Sequence, residues 1–274
     1  MVFSNIKLAG TDLDGTLFTD DKKIDERTKA AIKNAHKKGV HIVPVTGRPF
    51  MGLSDEITNI KEIEYAITNN GAEIIDLKTG DPLYSRQIDT KTSLEIIKKA
   101  EEFDTDFEVF SGGFGYLTKN TMNNYMKIHG TSPVGTYIKK SRKIVDGIYD
   151  FIKSNSLKTD EIFITIKNEE MQKAFETVLD KFDDVQYWSI FSKFIEVTHK
   201  DADKGKAFAY LTDFLGIDID DTIAFGDGEN DISLLKCAGI AAAMANAEPC
   251  IKEISSITTS SNNNFGVAKI LEQI

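Results

Sequence analysis

Short apolar runs alternate with an amphipathic stretch near the start of the chain. Residues 6–9 and 41–45 are apolar and have the composition of buried strands, whereas residues 25–38 carry apolar side chains at helical spacing. A strand, a helix and a second strand in this order are typical of one βαβ unit. The pattern therefore predicts a parallel sheet in this part of the chain.

The last third of the chain repeats the same alternation. The pattern predicts helices over residues 206–215 and 231–238 and strands over residues 222–225 and 240–244. We therefore predict that both ends contribute to one α/β fold, a Rossmann-like parallel sheet core flanked by helices.

The middle of the chain differs from both ends. It is richer in aromatic residues and has a hairpin signal, with two apolar runs around Ser111, Gly112 and Gly113. We predict strands over residues 107–110, 114–117 and 162–166 and helices over residues 92–103 and 140–153. This indicates an inserted α+β domain over residues 85–194, with residues 1–84 and 195–274 forming the catalytic core domain.

Composition narrows the classes of partner. The chain has 274 residues, and 33 basic against 43 acidic side chains give a net charge of −10, which argues against nucleic acid or an anionic membrane as the main partner. Cys237 and Cys250 have no framework spacing, and no apolar run approaches a membrane span. We expect a cytoplasmic protein. The sequence leaves its oligomeric state open, as a monomer or a weak dimer.

Four segments place acidic, hydroxyl, lysine or glycine residues where a predicted strand ends or a helix begins. They are DLDGTL at 12–17, TGR at 46–48, KGK at 204–206 and GDGEND at 226–231. In open α/β sheets ligands bind beyond the carboxyl ends of the strands, and helix N-termini favour anions. In the first segment Asp12 and Asp14 can supply a nucleophile and a metal site together. The four segments predict phosphate chemistry.

Three well-known motifs do not fit these segments. An EF-hand needs its glycine at loop position six, whereas Gly15 directly follows Asp14. A dinucleotide fingerprint requires glycine where the chain has Asp231. A P-loop needs Ser or Thr after its lysine, whereas Ala207 follows Lys206.

The motifs as a set resemble a known family. With NNGA at 69–72 and AMANA at 243–247, the four segments are similar to the haloacid dehalogenase superfamily of aspartate-nucleophile phosphatases, in its Cof-type branch. That branch has a large cap domain between its second and third motifs. The resemblance implies a phosphoric monoester hydrolase for small phosphorylated metabolites, such as sugar phosphates, with substrate selection in the cap.

The resemblance also implies roles for the acidic residues. Asp12 would be the nucleophile that forms an aspartyl phosphate, and its other oxygen would bind Mg²⁺. Asp14 would bind the metal through its backbone carbonyl and use its carboxyl group as the general acid and base. Asp227 would complete the protein ligands, and Asp231 would support the site by orienting Lys204.

The phosphate group has its own set of implied contacts. They are the backbone amide of Leu13, the side chain of Thr46, the amide of Gly47, Lys204 and Asn230. Arg48 is interpreted as a solvated residue and is not assigned to the site.

The chemistry supports this division of roles. Enzymes accelerate phosphate-monoester hydrolysis by up to ~10²¹-fold, whereas general acid–base catalysis supplies only ~10²–10⁴. The remainder requires positioning, a covalent intermediate and cations that face the transferring oxygens. Oxygen ligands favour Mg²⁺ over zinc, and Mn²⁺ is expected to substitute.

Two other functions remain open at this point. A phosphomutase of the same fold would use the same aspartyl phosphate but return the phosphoryl group to its substrate. A non-catalytic protein that binds phosphorylated metabolites would keep the pocket without the chemistry. Among the acidic residues, Asp227 and Asp231 also fit as ordinary helix N-caps.

Overall fold

The computed structural model describes residue 3 and residues 5–190 and 193–274. The described residues form strands and helices in the following order. The strands are β1 (Leu8–Thr11), β2 (His41–Pro44), β3 (Tyr65–Thr68), β4 (Glu73–Asp76), β5 (Pro82–Ser85), β6 (Phe107–Ser111), β7 (Phe114–Thr118), β8 (Arg142–Val145), β9 (Glu161–Thr165), β10 (Val185–Ile190), β11 (Phe194–His199), β12 (Thr222–Gly226), β13 (Ile240–Ala243) and β14 (Ile257–Thr258). The helices are α1 (Glu26–Lys37), α2 (Asp55–Thr58), α3 (Thr90–Glu102), α4 (Lys119–His129), α5 (Pro133–Ser141), α6 (Ile148–Asn155), α7 (Glu169–Leu179), α8 (Lys204–Phe214), α9 (Ile232–Cys237), α10 (Pro249–Ile254) and α11 (Gly266–Leu271).

The chain divides into two compact units. The first unit contains the chain up to Gly47, Leu53–Ser85 and Asp203–Ile274, and the second contains Arg48–Gly52 and Arg86–Ala202. No helix among the described residues is long and apolar enough to cross a lipid bilayer.

The first unit is built on a parallel sheet of five strands. Their order is β14-β13-β12-β1-β2, and Gly10 of β1 lies opposite Ala224 of β12 and Val43 of β2. All residues of β1 and β12 are buried, as expected of parallel strands that are covered on both faces. The prediction that both ends of the chain share one parallel sheet is confirmed.

Side-chain caps determine where the helices of the first unit begin. Asp25 accepts a hydrogen bond from the backbone N–H of Thr28 at 2.9 Å and starts α1. Asp203 accepts from the backbone N–H of Lys206 at 2.8 Å, so α8 begins at Lys204, two residues earlier than the sequence pattern predicts. Lys204 therefore lies in the first turn of a helix.

A small antiparallel sheet completes the first unit. Its order is β3-β4-β5, and a parallel bridge between Val45 and Ile67 connects β3 to the end of β2. The connection between β3 and β4 is a tight turn over Asn69–Gly71. The sequence pattern does not predict this sheet.

The second unit has a six-stranded sheet in the order β10-β11-β9-β6-β7-β8. All pairs are antiparallel except β7 with β8. Helices α3, α6 and α7 pack their apolar side chains against this sheet, with Ile97, Ile152 and Phe175 fully buried. This architecture confirms the predicted α+β domain.

One predicted helix in the second unit is wrong. Residues 140–153 do not form a single helix, because α5 ends at Ser141, β8 follows, and α6 begins at Ile148. The strand pairs in register with β7, with Leu117 opposite Ile144. Ile144 and Val145 are β-branched and favour a strand once a partner strand is present, which local helical spacing cannot reveal.

The described boundaries also differ by a few residues from those expected. Strand β11 pairs with both β9 and β10, so it stays with the second unit, which extends to Ala202 instead of residue 194. The short segment Arg48–Gly52 also belongs to this unit, through contacts such as the hydrogen bond from the Met51 N–H to the Gly113 carbonyl at 3.0 Å.

Candidate active site

Neighbouring strands bring the acidic segments together. Strands β1 and β12 are adjacent, and the backbone N–H of Asp12, directly after β1, donates to the carbonyl of Phe225 in β12 at 3.1 Å. Asp227 directly follows β12. The structure places carboxylate oxygens of Asp12, Asp227 and Asp231 within 4.8 Å of one another. This edge of the sheet therefore carries a cluster of acidic side chains.

Lys204 is the cation of this acidic site. Its ammonium group donates to Oδ1 of Asp12 at 2.8 Å and to Oδ1 of Asp231 at 2.7 Å. The lysine is only 2% exposed, because α8 begins beside the sheet edge and directs this side chain inward. One ammonium group thus faces two buried carboxylates, and Asp227 adds a third acidic group.

Burial and like charge shift the pKa values of this cluster. Burial, together with the negative charges of Asp231 and Asp227, raises the pKa of Asp12 to about 7 against the opposing effect of Lys204. Burial also raises the pKa of Asp227. Burial by itself would lower the pKa of Lys204, but the charges of Asp12 and Asp231 outweigh it, and the pKa lies above its ordinary value.

Asp231 is held by several donors at once. Its Oδ1 accepts from Lys204, and its Oδ2 accepts from the backbone N–H groups of Asp227 at 3.0 Å and Gly228 at 3.2 Å. These contacts fix the carboxylate in one orientation. The family resemblance implies that Asp231 orients Lys204. The hydrogen bond between the two side chains is the contact through which it would do so.

Asp227 is oriented by the segment that follows β1. Its Oδ1 accepts a hydrogen bond from the hydroxyl group of Thr16 at 2.9 Å. Gly15 has a φ of 89°, and a Cβ atom at this position would lie 2.2 Å from Oδ2 of Asp227. Only glycine permits this approach, so the glycine of the DLDGTL segment is required by the backbone conformation and by the space available.

Asp14 lies in a different environment from Asp12. Its carboxylate is partly exposed, and its Oδ1 lies 2.8 Å from the ammonium group of Lys22. Lys22 has a positive φ of 60°. No motif in the sequence marks residue 22, so this ion pair could not be predicted from the sequence.

The residues after β1 and β2 that are predicted to bind phosphate also lie at the sheet edge. Thr46 is buried and follows β2, and its backbone N–H donates to the carbonyl of Ile67 at 2.9 Å. The side chain of Leu13 is fully buried, so its backbone is the part available to a ligand. The carboxamide of Asn70 packs against Gly47, where a Cβ atom would lie 3.1 Å from Oδ1 of Asn70.

Asn230 completes the predicted set, and Arg48 is the neighbouring residue that the prediction left out. Asn230 is exposed, and its amide group donates to Oδ1 of Asn70 over a long 3.5 Å. Arg48 is half-buried within the second unit, and its guanidinium group lies over the ring of Tyr137 at 5.1 Å. Arg48 is therefore only partly solvated.

Three residues near the site were not singled out from the sequence. Thr16 holds Asp227, Asn70 contacts Gly47 and Asn230, and the side chain of Asn246 donates to the carbonyl of Gly15 at 2.8 Å. Each of these residues lies inside one of the motifs DLDGTL, NNGA and AMANA, so membership of a motif is the feature of the sequence that could have identified it.

Known proteins that are similar to this chain include hydrolases and phosphatases. The family model for haloacid dehalogenase-like hydrolases matches residues 10–271. A putative phosphatase of Haemophilus influenzae is 29% identical over 268 residues, which cover 97% of each chain. A 5-amino-6-(5-phospho-D-ribitylamino)uracil phosphatase of Bacillus subtilis is 28% identical, over 97% of this chain and 95% of that protein.

A solved structure shows the same fold. A haloacid dehalogenase-like hydrolase from Bacillus subtilis superimposes with a TM-score of 0.82, at 24% identity, over 97% of this chain and 99% of that one. At this identity the likeness concerns the fold alone.

Proposed function

The chain belongs to the haloacid dehalogenase-like hydrolases, and on this basis we propose that it is a Mg²⁺-dependent phosphatase of small phosphorylated metabolites. The proposed reaction proceeds through an aspartyl phosphate on Asp12. In this proposal the second unit is the cap domain, and the substrate is a sugar phosphate or a similar phosphomonoester. The phosphatases among its relatives support the reaction class, and one of them is named for a phosphomonoester on a ribityl chain.

The observation that carries the proposal is the environment of Asp12. This carboxylate is 6% exposed, and Lys204 holds one of its oxygens at 2.8 Å. A buried carboxylate next to a fixed ammonium group suits a nucleophile that must approach an anionic phosphate, because the cation offsets the repulsion between the two. A carboxylate that only caps a turn would not require a buried lysine.

The same cluster fits a divalent metal ion. Lys204 pairs with Asp12 and Asp231, and Asp227 adds a third carboxylate close to both, so these three acids and one lysine carry a net negative charge that Mg²⁺ can balance. Both oxygens of Asp231 are already engaged by Lys204 and by backbone N–H groups. Asp12, Asp227 and the backbone carbonyl of Asp14 are therefore the proposed protein ligands. Oxygen donors of this kind suit Mg²⁺.

The bound ion would neutralise negative charge on the transferring phosphoryl group. Thr46, Gly47, Lys204 and Asn230 would hold the phosphate oxygens, together with the backbone N–H of Leu13. Their role is to align phosphorus with the attacking oxygen of Asp12, because positioning supplies a large part of the acceleration in phosphoryl transfer.

Proton transfer is assigned to Asp14. As Asp12 forms its bond to phosphorus, the bond to the leaving oxygen breaks, and Asp14 donates a proton to that oxygen. Asp14 then takes a proton from the water molecule that attacks the aspartyl phosphate, which releases inorganic phosphate and regenerates Asp12. The partly exposed carboxylate of Asp14 has access to solvent for this second step.

The proposal is tested by a phosphate-release screen over phosphorylated metabolites with Mg²⁺. We expect release from at least one small phosphomonoester, and we expect Asp12→Asn to lose several orders of magnitude in kcat because it lacks the attacking anion. Asp213→Asn, an exposed aspartate on α8, is the matched control and should keep full activity.

The same screen separates the alternatives. A phosphomutase would isomerise its substrate without releasing phosphate. A non-catalytic binding protein would bind a metabolite without turnover. Near-normal turnover in Asp12→Asn would remove the covalent mechanism.

A further inference from the structure

The turn between β3 and β4 has an unusual backbone. Asn69, Asn70 and Gly71 all have positive φ values, at 47°, 52° and 95°. Glycine adopts this region without steric cost, and asparagine is among the few other residues that tolerate it. Asn70 is only 8% exposed, so its side chain is not a solvated loop residue.

This turn touches three parts of the candidate active site. The backbone N–H of Asn70 donates to the carbonyl of Thr46 at 3.1 Å, and its carboxamide packs against Gly47 and accepts from Asn230. A Cβ atom on Gly71 would lie 2.3 Å from the backbone of Asp203, the residue that caps the helix of Lys204. The turn therefore packs against every segment proposed to hold phosphate after the first one.

We propose that Asn70 is a positioning residue of the phosphate site. Its carboxamide fixes the side chain of Asn230 relative to the backbone of Gly47, so that both are directed at the same phosphate group. The inference rests on the proposed function, because it assigns Gly47 and Asn230 to phosphate. It explains why an asparagine occupies a backbone position that suits glycine better.

The structural alternative is that Asn70 only forms a turn, as asparagine often does. The variant Asn70→Gly separates the two roles. It keeps the left-handed backbone without strain, so the fold and the melting temperature should be preserved, but it removes the carboxamide. We expect the dissociation constant for inorganic phosphate, measured by calorimetry with Mg²⁺ present, to rise about tenfold.

Asn69→Gly is the matched control. It makes the same change at the neighbouring left-handed residue, whose side chain donates instead to Glu73 at 3.4 Å. This variant should bind phosphate within about twofold of the unmodified protein, whatever its effect on stability, since its side chain does not touch Gly47 or Asn230. An equal loss of phosphate affinity in Asn69→Gly and Asn70→Gly would overturn the proposal in favour of a backbone effect.

A double-mutant cycle tests the route of the effect. If Asn70 acts through Asn230, loss of the Asn70 carboxamide should matter little once the Asn230 side chain is gone. Apart from any effect through Gly47, the double variant Asn70→Gly/Asn230→Ala should bind phosphate as tightly as Asn230→Ala alone. The two losses should therefore not add. Fully additive losses would contradict positioning through Asn230.

The steady-state parameters give a second readout. Asn70→Gly should raise KM for a hydrolysed phosphomonoester more than it lowers kcat, because it weakens the hold on phosphate and leaves Asp12 and Asp14 in place. Phosphate affinity equal to that of the unmodified protein in Asn70→Gly would overturn the inference while the phosphatase proposal stands. Phosphate binding without any turnover would contradict the phosphatase proposal, and the calorimetric comparison would still decide the role of Asn70.

Discussion

The ammonium group of Lys204 lies 2.7 Å from Oδ1 of Asp231, and both side chains are almost completely buried. Asp231 also accepts two backbone hydrogen bonds from Asp227 and Gly228. A rigid carboxylate therefore holds the lysine that contacts Asp12. This arrangement connects the GDGEND segment to the proposed nucleophile.

We expect Asp231→Asn to lower kcat about 10- to 100-fold, as is typical when a partner that orients an active-site group is lost. The variant keeps the shape of the side chain but weakens the hold on Lys204. The measurement is kcat for a hydrolysed phosphomonoester, with thermal unfolding as a check on folding and Asp213→Asn as the charge-matched control. An unchanged kcat in Asp231→Asn would contradict an orienting role.

Metal binding should stabilise the protein through Asp227. Mg²⁺ at about 100 times its dissociation constant should add about 2.7 kcal/mol to the free energy of unfolding, because the ion binds the folded state. We expect a rise in melting temperature with Mg²⁺ that is lost in Asp227→Asn and retained in Asp213→Asn. Chelation should abolish phosphate release, and Mn²⁺ should restore it. If Mg²⁺ raised the melting temperature of Asp227→Asn as much as that of the unmodified protein, Asp227 would not be a metal ligand.

Glu73 should make stability depend on pH. Burial raises the pKa of Glu73 to about 7, and the hydrogen bond from Asn69 only partly opposes this shift. Between the unfolded pKa near 4.5 and the folded value, the native state holds a proton that the unfolded state has lost. Stability should therefore fall as pH rises through this window.

The variant Glu73→Gln should remove this pH dependence, because it is neutral at every pH. The free energy of unfolding is measured with urea at pH 5 and at pH 8. Between these two pH values, we expect it to fall by about 2 to 3 kcal/mol more in the unmodified protein than in the variant. Glu253→Gln, at an exposed position of α10, is the control. An equal pH dependence in Glu73→Gln and in the unmodified protein would show that another group titrates.

A buried ion pair should determine the stability of the second unit. Arg142 donates through Nε to Glu108 at 2.7 Å and through Nη2 at 3.1 Å, and its guanidinium group also lies over the rings of Phe110 and Tyr137. Arg142→Met should cost about 3 to 5 kcal/mol, because it leaves the carboxylate of Glu108 buried without its cation. Arg142→Met combined with Glu108→Leu should recover most of this loss in chemical denaturation. A double variant as unstable as the single one would show that packing, not charge, dominates.

Much of the fold could be predicted from local pattern. The strands around the first and last motifs, and helices such as α1, are marked by apolar periodicity and by caps such as Asp25, which act within a few residues. Strand β8 could not be predicted in the same way. Ile144 and Val145 form a strand because β7 lies beside them, and this is a contact that the local sequence does not contain.

In the candidate site, too, some features could be predicted from the sequence and others could not. The motifs were sufficient to select Asp12, Lys204 and Asp227 as candidates, because their residue types suit phosphate chemistry and because they lie just after a strand or at the start of a helix. The ion pair between Asp14 and Lys22 and the contact between Asn70 and Asn230 required the structure. Each joins side chains through backbone conformations with positive φ, which no spacing rule encodes.

The sequence by itself determined which residues are chemically able to act on a phosphate group, since side-chain type and strand periodicity are local properties. Only the tertiary structure decided which of them meet. The burial that raises the pKa of Asp12, and the closeness of Lys204 and Asp231 across 27 residues of chain, arise from the packing of α8 and β12 against β1. Burial and distance are properties of the folded chain, because they depend on contacts between segments that are far apart in sequence.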